Sequence, residues 1–248
     1  MHLLILGGTT EASRLAERLA GHEKIAAILS YAGRTVTPAH QPIPTRSGGF
    51  GGVDGLAAYL RGHAVDMVVD ATHPFAAEMS RHAADACART GTALVVFTRA
   101  PWAKVAGDRW IEAADNAAAA AALGETPRRV LMTIGRLGLA AFRAAPQHHY
   151  LIRTIDPPEA ADLPPDHRLL FARGPFTLDD ETRLMREEAI DVVVTKNSGG
   201  TATYAKIDAA RDLGLPVVIV QPPARPEVPT CHDLDACMAA IEAHVPAP

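Results

Sequence analysis

Apolar residues fall along this chain in two alternating rhythms. Short continuous apolar runs, stopped by glycine or a polar residue, read as buried strands, and stretches with apolar residues every three or four positions read as helices. The first run, residues 3–6, ends at Gly7-Gly8, and Leu15, Ala16 and Leu19 then share one helical face. Strands are expected next at residues 25–29, 43–46, 65–69 and 93–98, with helices over 53–60 and 77–89. The punctuation Arg99-Ala100-Pro101-Trp102 marks a domain boundary. Beyond it the alternation repeats less regularly, with strands at 130–134, 149–153, 169–172, 192–195 and 216–220. Helices are expected over the alanine tract 117–122, over 178–188, around Tyr204, Ile207 and Arg211, and over 234–244. The pattern is that of an α/β protein with mainly parallel sheets in two domains, residues 1–100 and 101–248, the last helix closing the second.

The turn after the first strand carries the first chemical hint. It points bare backbone N–H groups of a helix start at whatever lies above the strand, and an anion is favoured there. Against the dinucleotide fingerprint G-x-G-x-x-G/A, Gly7 fills the first position, Thr9 replaces the second glycine and Ala12 fills the last. Alone the match is degenerate, and a plain strand-to-helix turn competes with it. A Walker A loop is excluded, because no Gly-Lys-Ser/Thr follows at the required spacing.

The second strand sharpens the reading. An NAD site places an acidic residue near the end of this strand, about 20 residues past the glycines. No Asp or Glu stands anywhere from Lys24 to Val53, where the chain offers Ser30, Arg34 and Arg46 instead. Hydroxyl and guanidinium groups suit a 2′-phosphate, so NADP(H) is preferred over NAD(H). A glycine-rich stretch, Ser47-Gly48-Gly49-Phe50-Gly51-Gly52, follows the third strand. The fourth strand ends at Asp70-Ala71-Thr72-His73-Pro74-Phe75-Ala76, at the carboxyl edge where open α/β sheets bind ligands.

In the second half, Arg136, Arg153, Arg173, Lys196 and Arg225 each stand at or just past an expected strand end. Converging on one rim, they would attract a polyanionic ligand. Charge elsewhere excludes other partners. A formal net charge of -4 without a basic tail argues against a general nucleic-acid binder. No stretch approaches the roughly 18 apolar residues needed to span a bilayer. The first apolar run also lacks the length and positive flank of a secretion signal, so a cytoplasmic protein is expected. Cys87, Cys231 and Cys237 are odd in number and form no C-x-x-C pair, which points to neither a disulfide framework nor a metal site. Of the four tyrosines none has a lysine four residues on, so the proton relay of short-chain dehydrogenases is absent. The hydrolase signature G-x-S-x-G is absent too.

Taken together, Gly7-Gly8-Thr9-Thr10-Glu11, Ser30-Tyr31-Ala32-Gly33-Arg34, the stretch Arg46 to Gly52, Asp70 to Ala76, Ala172-Arg173-Gly174-Pro175-Phe176, Lys196-Asn197-Ser198-Gly199-Gly200 and Arg225-Pro226 resemble the precorrin-6A reductase family of cobalamin biosynthesis. The resemblance runs nearly end to end. It implies two Rossmann-like domains with the active site in the cleft between them, and NADPH-dependent reduction of a tetrapyrrole, precorrin-6A to precorrin-6B, with hydride delivered to C19.

On that footing Gly7, Gly8, Thr9, Thr10 and Glu11 are expected at the cofactor's phosphates or ribose, Glu11 through the helix start. Ser30, Gly33, Arg34 and Arg46 are expected at the 2′-phosphate end. Thr72, His73, Pro74 and Phe75 would flank the nicotinamide or its ribose. Lys196, Asn197, Ser198 and Gly199 would form an anion nest on the facing domain, binding either a substrate carboxylate or the cofactor, with Arg136, Arg153 and Arg173 as further candidates for substrate carboxylates. His73 and Lys196 are the candidate catalytic side chains, although the conjugated macrocycle can itself take up electrons and make no single protein acid indispensable. Two other readings stay open: a non-catalytic NADP(H)-sensing module, and a reductase of another small polyanion. Whether the substrate carries cobalt, and the oligomeric state, are not legible here.

Overall fold

Continuous apolar sequence makes strands that are covered on both faces, and the first unit shows this from its first residues. β1 (His2–Leu6) is followed by α1 (Thr10–Leu19), β2 (Ala26–Tyr31), β3 (Thr45–Ser47), α2 (Gly52–Gly62), β4 (Met67–Asp70), α3 (Ala77–Thr90) and β5 (Ala93–Phe97). Successive side chains of a strand point to opposite faces. Leu3 and Ile5 accordingly join a core with Leu15 and Leu19 of α1, while Leu4 and Leu6 join another with Leu56 and Leu60 of α2 and Ala83 of α3. All four β1 leucine and isoleucine side chains are fully buried, each contributing about 1.5–3 kcal/mol.

The computed structural model describes residues 1–32 and 40–245, divided into two compact units, Pro101–Pro223 being the second. That unit contains β6 (Arg109–Ala113), α4 (Asn116–Ala121), β7 (Arg129–Thr133), β8 (His149–Thr154), β9 (His167–Phe171), α5 (Leu178–Glu187), β10 (Val192–Lys196), α6 (Ala205–Asp212) and β11 (Pro216–Val220). Short 3-10 turns, Leu139–Ala144 and Ala160–Asp162, connect β7 to β8 and β8 to β9. The chain then returns to the first unit with β12 (Thr230–Cys231) and α7 (Leu234–Glu242).

This return corrects the expected boundary. The second domain does not run to residue 248, because β12 pairs with β5 through Thr230↔Val96 and Cys231↔Phe97. Cys237, Met238 and Ile241 of α7 lie in the same core as α1. An amphipathic helix shows which of its faces is buried and not which sheet buries it.

Each unit is a six-stranded parallel sheet. The orders are β12-β5-β4-β1-β2-β3 and β6-β11-β10-β7-β8-β9. In the first, the chain winds one way through β1, β2 and β3 and the other way through β4 and β5, so the order reverses between β1 and β4. In the second it reverses between β7 and β10. Ligands of open α/β sheets bind outside the carboxyl ends of the strands at such a reversal. The fold therefore nominates two loop pairs, those after β1 and β4 and those after β7 and β10.

Candidate active site

At the first reversal the backbone does most of the shaping. Gly7 donates its N–H to the Ser30 carbonyl at 2.9 Å. A Cβ at Gly7 would stand 2.5 Å from Leu29 Cδ1, so a side chain there would be driven into the core. Gly8 has φ 116°, a backbone conformation L side chains rarely adopt. Thr9 is the N-cap of α1: its Oγ1 accepts from Ala12 N at 3.2 Å and donates to the Ala71 carbonyl at 2.7 Å. One hydroxyl thus finishes the helix and ties the β1 loop to the β4 loop. Thr10 is exposed at the start of α1. Glu11 does not face this helix start as a bare carboxylate, since Arg99 Nη1 meets its two oxygens at 3.2 and 3.4 Å.

The neighbouring strand ends add the cationic part. Register places Ser30 beside Arg46. Arg46 Nη1 donates to Ser30 Oγ at 2.6 Å and Nη2 to the Gly49 carbonyl at 3.3 Å, with the guanidinium 4.0 Å from the centre of the Phe50 ring. Three contacts hold this arginine at the strand ends where the sequence lacks an acid. Gly33 and Arg34 lie outside the described residues. A glycine turn closed to any side chain, a helix N-terminus above it and a clamped guanidinium fit a phosphorylated dinucleotide.

The loop after β4 is held from several directions. Asp70 is fully buried; its Oδ1 accepts from Thr72 N at 3.0 Å and Thr72 Oγ1 at 2.6 Å, and its Oδ2 from Ser80 Oγ at 2.5 Å. Phe75 N donates to His73 Nδ1 at 3.2 Å, so a neutral His73 carries its hydrogen on Nε2. The His73 and Phe75 rings are 5.8 Å apart, and Pro74 between them is buried. Arg225, expected on the rim of the second domain, belongs instead to the first unit. Its Nη2 donates to the His73 carbonyl at 2.8 Å and the Thr72 carbonyl at 3.4 Å. Its Nε and Nη1 are buried and meet no acceptor among the described residues. Each such donor costs about 1–3 kcal/mol.

The second reversal is built from side chains. Lys196 ends β10, and burial pulls its ammonium below the ordinary lysine value. Asn197 is buried with its amide fully engaged. Its Oδ1 accepts from Trp102 N at 2.7 Å, and its Nδ2 donates to the Trp102 carbonyl at 3.1 Å and to Gln221 Oε1 at 3.2 Å. Trp102 Nε1 in turn donates to the Gly200 carbonyl at 2.6 Å. The Asn197 side-chain amide is thus engaged by Trp102 and Gln221, and its backbone N–H by the Val220 carbonyl at 2.8 Å, so this residue holds the loop in shape. Ser198 N is likewise tied to the Lys196 carbonyl at 2.9 Å, and positive φ at Gly199 and Gly200 turns the chain onward.

Arg153 also departs from the expected role. It is buried inside β8, its Nη1 and Nη2 donate to the two Glu181 carboxylate oxygens at 3.0 and 2.7 Å, and it lies 3.9 Å from the Phe176 ring centre. Its carboxylate is supplied by α5, leaving it no free charge to offer a ligand. Arg136 stands beside the second reversal, after β7, and Arg173 is exposed after β9. The sequence reading passed over Asp70, Arg99 and Trp102. A lone carboxylate closing the otherwise apolar Met67-Val68-Val69-Asp70 was the available sign for the first.

A glycine turn at the reversal of a parallel sheet, a helix N-terminus over it and a guanidinium at the adjoining strand end define a dinucleotide-dependent oxidoreductase. Residues 2–242 match the family model described as precorrin-6x reductase CbiJ/CobK. The precorrin-6A reductase of Rhodobacter capsulatus is 54% identical over 242 residues, covering 98% of this chain and 96% of that protein. The cobalt-precorrin-6A reductase of Methanothermobacter thermautotrophicus is 30% identical, covering 92% of this chain and 78% of the relative. A solved structure of CobK precorrin-6A reductase superposes with a TM-score of 0.93 at 54% identity, over all of this chain and 98% of the other. The chain belongs to the precorrin-6x reductase family, and is an oxidoreductase of cobalamin biosynthesis. No helix among the described residues is long and apolar enough to cross a membrane.

Proposed function

We propose that this enzyme reduces precorrin-6A to precorrin-6B with NADPH, hydride being delivered to C19 of the macrocycle. The observation that carries the choice of NADPH is the Ser30–Arg46 pair at adjoining strand ends, in a stretch with no carboxylate to repel a 2′-phosphate. When bound, the reduced cofactor supplies the hydride. Gly7, Gly8 and the first turn of α1 would hold its phosphates through backbone N–H groups and the helix dipole. Thr72, His73, Pro74 and Phe75 would flank its reactive end, with Pro74 and the Asp70 network fixing the loop that carries them.

On the second unit, Lys196, Arg136 and Arg173 would meet the acetate and propionate arms of the substrate. Lys196 also has the chemistry of a proton source, because burial makes its ammonium give up a proton more readily than a solvated lysine does. Identity of 54% to the metal-free reductase against 30% to the cobalt-precorrin enzyme supports a substrate without cobalt.

The test is a titration of the purified protein with NADPH and NADH, then turnover with precorrin-6A and its cobalt form. Tight NADPH binding with precorrin-dependent oxidation is expected; equal use of NADH, or NADPH binding with no oxidation on any tetrapyrrole, would overturn the reading. If Lys196 donates a proton, activity is lost as pH rises through its lowered value, and Lys196→Arg, which keeps the charge but yields no proton, abolishes turnover while substrate binding persists.

A further inference from the structure

We infer that Arg225 is a positioning residue for the reaction, acting through the loop after β4, and that the segment returning from the second unit sets the geometry of the cofactor's reactive end. The inference rests on the functional reading above, which puts that loop beside the nicotinamide.

Successive residues of this loop are each gripped by a different side chain. Thr9 Oγ1 donates to the Ala71 carbonyl, Asp70 accepts from the backbone and hydroxyl of Thr72, and Arg225 Nη2 reaches the carbonyls of Thr72 and His73. The His73 carbonyl also accepts from Ala76 N at 2.8 Å, where the loop turns into α3. Thr9 comes from the start of α1 and Asp70 from the end of β4. Arg225 alone comes from the far end of the sequence, just past the Pro223–Ala224 junction between the units.

The way Arg225 is held distinguishes it from a stabilising arginine. Among the described residues its acceptors are neutral carbonyls, and two of its donor nitrogens are buried and meet none. Contrast Arg153, whose guanidinium meets both oxygens of a carboxylate. Unsatisfied buried donors are rare in native structures, and each calls for an explanation such as stored strain or a part in catalysis. A guanidinium that grips two consecutive carbonyls fixes the peptide planes on either side of His73, and with them the direction in which its ring leaves the backbone. A misplacement of about 1 Å at such a point can cost on the order of a hundredfold in rate.

The experiment compares Arg225→Ala, Arg225→Gln and Arg225→Lys in the full chain. Four quantities are read: the NADPH Kd, kcat with precorrin-6A, the isotope effect on kcat with NADPH deuterated at the transferred position, and hydrogen exchange of residues 71–76 against residues 2–6. Arg225→Ala should lower kcat about tenfold or more while Kd stays within about threefold, because binding is carried elsewhere. The isotope effect should rise as hydride transfer becomes limiting, exchange in 71–76 should quicken while 2–6 stays protected, and Lys should retain more kcat than Gln. Should the alanine variant not fold, the Lys and Gln variants carry the same comparison. A kcat within twofold of wild type, or a loss shared equally by all variants with isotope effect and loop exchange unchanged, would overturn the proposal. Wild-type protein that does not oxidise NADPH with precorrin-6A would sink the functional reading itself, a distinguishable result.

Discussion

The two reversal points have the same topology and are furnished in opposite ways. Between β1 and β4 the structure keeps atoms away: Gly7 has no room for a side chain, Gly8 has φ 116°, and Thr9 spends its hydroxyl on other backbone groups. Between β7 and β10 it packs atoms in, with Asn197 clasping Trp102 and Lys196 buried enough to lose some of its hold on a proton. A ligand met by backbone N–H groups needs space, and one met by side chains needs those side chains held still. The shared sheet supplies the crevice, and the loops decide what enters it.

This contrast is open to attack, most forcefully in the second unit. Glu181→Ala leaves Arg153 buried without its counter-ion and should cost about 3–5 kcal/mol in a denaturant melt. Replacing Arg153 and Glu181 together by leucine should recover most of that loss; no recovery would mean that α5 depends on the ion pair itself. In the first unit the damaging change is an addition. Gly7→Val should weaken NADPH about a hundredfold, ~2.7 kcal/mol, in a fluorescence titration. An unchanged Kd would show that the turn does not take the phosphates.

Arg46→Ala sharpens the same point at smaller cost. It should weaken NADPH about tenfold, ~1.4 kcal/mol, and leave NADH nearly unaffected. Equal weakening of both cofactors would move the 2′-phosphate elsewhere. The smallest effect concerns His148, fully buried in the second unit. Burial holds it below its ordinary 6.5, the Gly124 carbonyl works against this, Arg128 adds to it and Glu125 opposes it. Its folded-state value is depressed, so the unfolded chain binds the proton first. Stability is full above about pH 6.5 and falls as pH drops below it, by at most about 1.4 kcal/mol per unit. Replacing His148 with phenylalanine should flatten that dependence, read by hydrogen exchange in β8 below pH 6.5.

Much of the fold lay open in the sequence because parallel strands covered on both faces are continuous apolar runs. The strands expected at residues 3–6, 130–134 and 216–220 are β1, β7 and β11, with β7 ending one residue early at Thr133. β6 was not foreseen, since Arg109-Trp110-Ile111-Glu112-Ala113 sits at a sheet edge and buries only Trp110 and Ala113. β12 has two residues and no periodicity to read. The strand-turn-helix that carries the candidate site was legible where one short stretch builds it, as at Gly7 to Glu11. It was not where partners stand far apart in sequence. Arg153 looks like a rim cation until Glu181 is brought to it, and Asn197 looks like a ligand until Trp102, 95 residues away, occupies it. Charge and hydroxyl content reveal what a residue can do, and only tertiary contacts reveal whether it is already engaged.

The return of the chain at Ala224 has a further consequence for how the molecule comes into being. The second unit is an insertion, so the hydrophobic floor under α1 lacks Cys237, Met238 and Ile241 until the intervening residues have all been synthesised. On the ribosome the inserted unit can complete its own sheet first. The glycine turn, although it precedes the inserted unit, becomes fully supported only after that unit has emerged, and removing α7 should therefore unsettle a turn made by residues more than two hundred positions earlier.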